Sequence, residues 1–272
     1  MQHESIDGVV VRVRDYGEND RYLSVLTAKK GRITMLSKGG RSFKGSQTAI
    51  SQLYTYGNFE YYRKGNFFIL KGGTPIQPFY SLSMDIDRLD LAFYLCDIIC
   101  EVTDEGAEAG EELRLLLNTL YAVSKNLYPQ EIIKGAFELR IAALSGYEPE
   151  LNVCSQCNKS DAKSFYLNVM NGSLHCSDCQ NKLSKNGVRN LSPIYDDIRE
   201  AKVMCMLSPA VCAAMRYCLN APLERLFAFD LTDEADLLGF AKITETYLLS
   251  HLGRGFDSLN FYHTMRSPQK KV

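Results

Sequence analysis

Four of the nine cysteines are spaced to hold a metal ion. Cys154/Cys157 and Cys176/Cys179 form two Cys-x-x-Cys pairs at the ends of "CSQCNKSDAKSFYLNVMNGSLHCSDC". Four thiolates at this spacing suit the tetrahedral site of a zinc ribbon, in which each pair makes a tight knuckle. The stretch "SFYLNVMNGSLHC" between them reads as a short hairpin, with Asn171-Gly172 expected as a two-residue turn. A closed set of four thiolates leaves no open position for water, so the expected zinc is structural, one per chain, and no catalytic residue is assigned. A segment this short buries little core, so the binding free energy of the metal becomes folding energy. Alternatives at this point are a redox Cys-x-x-Cys and plain buried cysteines. A redox motif normally occurs once, near a βαβ pattern, and none is evident. His175 stands beside Cys176 and is a possible substitute ligand, but the His-x-Glu half of the zinc deaminase signature is absent. Cys96 and Cys100 are i, i+4 on an apolar helical pattern; like Cys205, Cys212 and Cys218, they read as small buried hydrophobes.

A second constellation lies near the N-terminus. From Arg21 to Phe59 there is no Asp or Glu, and the stretch holds Arg21, Lys29, Lys30, Arg32, Lys38, Arg41 and Lys44. "SKGGRSFKGSQ" adds glycines and hydroxyls that let backbone N–H groups approach phosphates. The Gly-x-x-x-x-Gly-Lys-Ser/Thr spacing of a nucleotide-hydrolysing loop is missing. A basic loop between barrel strands suits a nucleic-acid backbone; a solvated lysine face is the bland alternative. Next come Tyr54, Tyr56, Phe59, Tyr61, Tyr62, Phe67 and Phe68. Alternate positions among these are expected to fill a barrel and, on the other face, to stack bases.

The elements that position these groups can be read from periodicity. "IDGVVVRVRDYG", "RYLSVLT" and "RITMLS" are strands, the last two joined by the turn "AKKG". "LYTYGNFEYYRKGNFFILKGG" gives two more around Lys64-Gly65-Asn66, with Gly57 at a bulge or corner. Five short strands suit a small OB-like barrel. From residue 81 the pattern turns helical: apolar residues at 86, 89, 93, 96 and 100, then "GEELRLLLNTLYAVSKNL" and "PQEIIKGAFELRIAALSGY". After the cysteines, "SPAVCAAMRYCLN", "PLERLFAF" and "DEADLLGFAKITETYLLSHLG" are helical again. The expected fold class is therefore α+β and multidomain. An N-terminal five-stranded OB-like β-barrel, residues 1–80, precedes an all-α domain, residues 81–150 and 182–265, which carries the four-cysteine zinc ribbon as an insertion at 151–181.

Composition sets outer bounds. Apolar residues make up 46% and charged residues 23%, as in ordinary globular proteins. No long apolar run suggests a membrane span, and "MQHESIDG" does not resemble a secretory signal, so the thiols are expected to be reduced in a cytoplasm. Net charge is −1, yet residues 1–80 hold 12 Lys/Arg against 6 Asp/Glu, so the remainder is acidic. A polyanion is expected at the basic front.

The order of these features resembles a known family. "GVVVRVRDYGENDRYLSVLTAKKGRITMLSKGGR", "FELRIAALSGYEPELNVCSQC" running into the second cysteine pair, and "LGRGFDSLNFY" are similar to the opening, the ribbon approach and the last helix of the bacterial DNA repair family RecO. The resemblance spans nearly the whole chain. It implies a non-enzymatic recombination mediator that binds single- and double-stranded DNA and anneals strands. It also implies work with RecR, and with the C-terminal tail of single-strand-binding protein, to help load RecA in the RecF pathway. No membrane or small-molecule substrate is implied, and the setting is the cytoplasm, at the nucleoid. By the same resemblance the zinc ligands are Cys154, Cys157, Cys176 and Cys179. The DNA contacts fall on Lys38, Arg41 and Lys44, with Arg12, Arg14 and Arg32 nearby. Arg114, Lys125, Lys134 and Arg140 are candidate cations for the acidic tail. Two rival readings are a zinc-dependent nucleic-acid enzyme and a ribbon-bearing interaction module without DNA contact.

Overall fold

A computed structural model describes residues 3–41, 47–65, 67–185 and 204–266. The five expected strands are present: β1 (His3–Tyr16), β2 (Asp20–Thr27), β3 (Gly31–Ser37), β4 (Thr55–Lys64) and β5 (Phe67–Pro78). They close into a barrel in the order β1-β2-β3-β5-β4, so no strand edge is left unpaired. β3 and β5 run parallel and the other pairs antiparallel. Strand alternation fills the interior with Val10, Leu23, Val25, Ile33, Met35, Phe59, Tyr61, Phe68 and Leu70.

Three register shifts shape the barrel wall, at Val10/Arg12, Tyr56/Gly57 and Glu60/Tyr61. The β1–β2 register shifts between Val10 and Arg12, so Val11 is an extra residue. Val10 and Val13 both face the core, and Arg12 and Arg14 both face out. Without the bulge, unbroken alternation from Val10 would turn both arginines inward. The second shift falls between Tyr56 and Gly57, as the glycine suggested. A Cβ at Gly57 would lie 2.5 Å from the Thr74 carbonyl oxygen and 2.6 Å from Ile50, so only glycine lets β5 approach there. Gly31, at φ +59°, ends the β2–β3 turn. A Cβ there would lie 1.9 Å from the Asp104 carbonyl oxygen, so the glycine also admits the 103–107 segment.

The chain forms two compact units, residues 1–127 with 256–272, and residues 128–255. In the first, α1 (Ile86–Val102) and α2 (Gly110–Lys125) pack on the barrel, and α7 (Asp257–Arg266) packs on α1. Asp85 caps α1 by accepting from the Asp87 N–H at 3.0 Å. Arg266 ties α7 back to α1 through Asp90 at 2.8 Å.

The second unit holds α3 (Gln130–Leu144), α5 (Pro209–Asn220) and α6 (Glu234–Leu252) around a small sheet. α3 begins directly after Pro129, and the Ser208 hydroxyl caps α5 with Pro209 at its first position. The sheet order is β7-β6-β8, with β6 at Phe165–Asn168, β7 at Leu174–Cys176 and β8 at Met204–Leu207. α4 (Ser177–Lys185) follows β7.

Three local expectations are corrected. The β6–β7 connection is longer than a two-residue turn: Asn168 already pairs with Ser173, and Gly172 donates to the Asn168 carbonyl at 2.8 Å. Asn171 stabilises the loop through its side chain, accepting from the Ser173 N–H at 3.0 Å and hydroxyl at 2.8 Å. "PLERLFAF" forms only a 3₁₀ turn at Leu223–Arg225, because so short an apolar stretch cannot meet the cost of helix nucleation. The ribbon sheet also gains β8, a third strand from beyond the expected segment.

Candidate metal centre and nucleic-acid face

Each cysteine pair of the quartet is built by a different local structure. Cys154 and Cys157 sit on a knuckle in which Asn158, at φ +57°, donates to the Cys154 carbonyl at 2.8 Å. Cys154 in turn donates its N–H to the Lys159 carbonyl at 2.8 Å. Cys176 ends β7, and Cys179 lies in the first turn of α4. The four Sγ atoms all lie within 4.8 Å of one another, the one such group among the described residues. Cys157 and Cys176 approach to 3.7 Å, close to the ~3.8 Å edge of a tetrahedron with zinc–sulfur bonds of about 2.3 Å.

The electrostatics fit a cation. Burial opposes ionisation of the Cys154 thiol, but N–H groups of Cys176, Gln156 and Cys157 outweigh it and bring its pKa down to about 6. The Cys176 N–H lies 3.2 Å from that sulfur. Hydrogen bonds with Cys157 and Cys176, then burial, push Cys179 up to about 12. One thiolate forms readily, and four together need positive charge between them. All four donors are sulfur, which suits zinc and leaves no open position. His175 lies outside the quartet, its Nδ1 3.3 Å from Gln180.

The other five cysteines are different. Burial pushes Cys96, Cys100 and Cys212 up, Cys205 to about 11 and Cys218 to about 12. Such thiols are inert packing groups.

The basic residues fall at two ends of the barrel. At the β2–β3 turn, Lys30 binds Glu4 at 2.6 Å and the Tyr61 hydroxyl at 2.7 Å, while Arg32 donates to the Thr103 carbonyl at 3.3 Å. Lys29 is exposed beside them. Arg12 reaches Asp97 of α1 at 2.7 Å. At the opposite end, around the β1–β2 tip, stand Arg14, Arg21, Lys38 and Arg41. Arg21 pairs with Asp15 at 3.0 Å, and Arg41 with Asp15 at 3.5 Å and the Gly17 carbonyl at 3.2 Å. Arg14 and Lys38 are exposed, with no ion pair to any described residue. Lys44 lies outside the described residues.

The aromatic cluster divides as alternation demands. Tyr54, Phe59, Tyr61 and Phe68 are buried, Tyr56 and Tyr62 are half-buried, and Phe67 is 63% exposed. Tyr16 and Tyr22, not singled out from the sequence, lie on the outer wall with ring centroids 5.0 Å apart. Of the cations suggested for an acidic tail, Arg114 and Lys125 are exposed and Arg140 is half-buried. Lys134 is interior, bonded to Glu138 and Glu245. No helix among the described residues is long and apolar enough to cross a membrane.

Comparison with known proteins matches both parts of the chain. The family model described as Recombination protein O N terminal covers residues 1–79, and that described as Recombination protein O C terminal covers residues 83–260. A DNA repair protein RecO of Acetivibrio thermocellus is 27% identical over 267 residues, spanning 97% of this chain and 98% of that protein. One from Alkaliphilus metalliredigens is 33% identical over 173 residues, 64% of this chain and 70% of that protein. With the barrel, the helices and the cysteine quartet falling in that same order, the chain belongs to the RecO family.

Proposed function

We propose that this chain is a non-enzymatic mediator of recombinational DNA repair in the cytoplasm, acting at the nucleoid. It binds single- and double-stranded DNA through the barrel, residues 1–80, and anneals complementary strands. With RecR it engages the tail of single-strand-binding protein and helps load RecA. One zinc ion, held by Cys154, Cys157, Cys176 and Cys179, fixes the ribbon and takes no part in chemistry. The DNA contacts centre on Arg14, Arg21, Lys38, Arg41 and Lys44, with Lys29 at the opposite turn. Arg12, Lys30 and Arg32 lie away from that tip, engaged with Asp97, Glu4 and the Thr103 carbonyl, and contribute chiefly field, whereas Arg21 and Arg41 sit at the tip with Asp15 between them.

The observation that carries the reading is the family match along both parts of the chain, with exposed cations at one end of an OB-like barrel. Oligonucleotides commonly bind such barrels at strands 2 and 3 and the adjacent loops. The test mixes complementary strands with the protein and no nucleotide. Faster duplex formation supports the reading. Cleaved or chemically altered strands would make the chain an enzyme, and absence of any DNA binding would leave the ribbon as an interaction module.

A further inference from the structure

We propose that Tyr16 and Tyr22 form a stacking platform for the bases of single-stranded DNA. The inference rests on the DNA-binding reading above and adds what part of the nucleotide this surface takes. The barrel register places the platform. Tyr22 lies between Arg14 on β1 and Leu36 on β3. Its neighbours Leu23 and Met35 belong to the core, so Arg14, Tyr22 and Leu36 form one row on the outer wall. Tyr16 is 54% exposed, and its ring is tilted 57° to that of Tyr22.

The setting favours a nucleic acid over mere surface cover. Arg14 borders the rings, Lys38 follows the end of β3, and both are exposed without an ion-pair partner among the described residues. Of the three acids of the tip, Asp15 pairs with Arg21 and Arg41, Asp20 accepts the Gly39 N–H at 2.8 Å, and Glu18 is exposed. Arg41 also donates its N–H to the Asn19 carbonyl at 3.0 Å, so the tip and the start of the β3–β4 connection brace each other. A braced platform loses little freedom on binding. Every base has a π-face, so such a surface takes unpaired bases with little sequence preference, whereas bases in a duplex are stacked on each other and unavailable.

The full-length, zinc-loaded protein tests this with two probes, an oligothymidylate and a blunt duplex. Tyr22→Ala should weaken oligothymidylate binding roughly 5- to 150-fold, the range of one base–aromatic stack. The salt slope should not change, because no phosphate contact is lost. Duplex affinity should stay within about twofold, and Tyr22→Phe should bind like the wild type. The chain has no tryptophan, so Tyr22→Trp introduces a lone reporter whose fluorescence should be quenched by the oligothymidylate and not by the duplex. Wild-type affinity in Tyr22→Ala, with no quenching in Tyr22→Trp at saturation, overturns the stacking platform while DNA binding stands. If the wild-type protein binds neither probe, the DNA reading fails and the platform with it. Equal loss on both probes makes Tyr22 a structural residue and overturns the proposal too.

Discussion

Lys134 of α3 lies 2.7 Å from Glu245 of α6, and both side chains are almost wholly buried. The ammonium also meets Glu138 at 2.8 Å, and Glu138 accepts from the Thr244 hydroxyl at 3.0 Å. Two carboxylates and one buried cation thus share the α3–α6 contact, with the partly exposed Lys242 3.9 Å from Glu245. Removing the buried cation takes the nearest positive charge from both acids in a low-dielectric site. Lys134→Met should therefore lower unfolding free energy by about 3–5 kcal/mol, read from the denaturant transition of the α3–α6 unit. A variant as stable as the wild type would show that water reaches the cluster.

Zinc removal should unfold the ribbon while sparing the barrel. Purified protein is expected to carry about one zinc per chain, and Cys154→Ser to lose it. The metal's binding free energy, on the order of 10 kcal/mol, is folding energy in such sites. The measurement is metal content together with hydrogen exchange over residues 150–182. Unchanged protection in metal-free protein would rule out the structural role.

Cations with and without an ion pair among the described residues should behave differently in salt. Phosphate contacts release counterions, so affinity for single strands should fall as salt rises, with a log–log slope of roughly −0.7 per contact. Replacing both Arg14 and Lys38 by Ala should shallow that slope by about 1.4. Arg12→Gln should barely alter it and should instead cost stability through the lost Asp97 contact. The reverse pattern would move the DNA path to the helix-covered side of the barrel.

Much of this was legible in the sequence where a local pattern decided the outcome. β3 and β4 carried a clean alternation, Gly57 marked its own bulge, and the cysteine spacing alone located the quartet. What was not legible depended on partners far along the chain. β8 is four residues whose strand identity comes from pairing with Phe165–Asn168. Lys134 looks like any helical lysine until α6 brings Glu245 to it. The Val10/Arg12 bulge reverses the phase of β1, which decides that Arg14 faces out beside Tyr22. The crowd of aromatics from Tyr54 through β4 into β5 drew attention, yet four of its seven rings are buried.

His251 offers a pH test within the second unit. Its ring lies 4.8 Å from that of Tyr147 and 4.4 Å from that of Tyr247, and its buried Nε2 has no hydrogen-bond partner among the described residues. Burial lowers its pKa below the ordinary 6.5, against a smaller opposing effect of a hydrogen bond with the Val169 backbone. The sign follows from the two states. As pH falls through about 6.5, the unfolded chain takes the proton first, so the folded state loses stability until the lower folded pKa is passed. Above pH 7.5 the residue is neutral in both states and contributes no slope. His251→Phe keeps an aromatic ring between the tyrosines and cannot titrate. Its stability relative to the wild type should be constant from pH 7.5 to 8.5 and should rise as the pH drops from 6.5 to 5.5. The measurement is the urea midpoint of both proteins across that range, and the remaining histidines and the thiolate site cancel in the difference. A difference that stays flat down to pH 5.5 would mean that the imidazolium finds an acceptor at Nε2, and that the orphaned nitrogen carries no penalty.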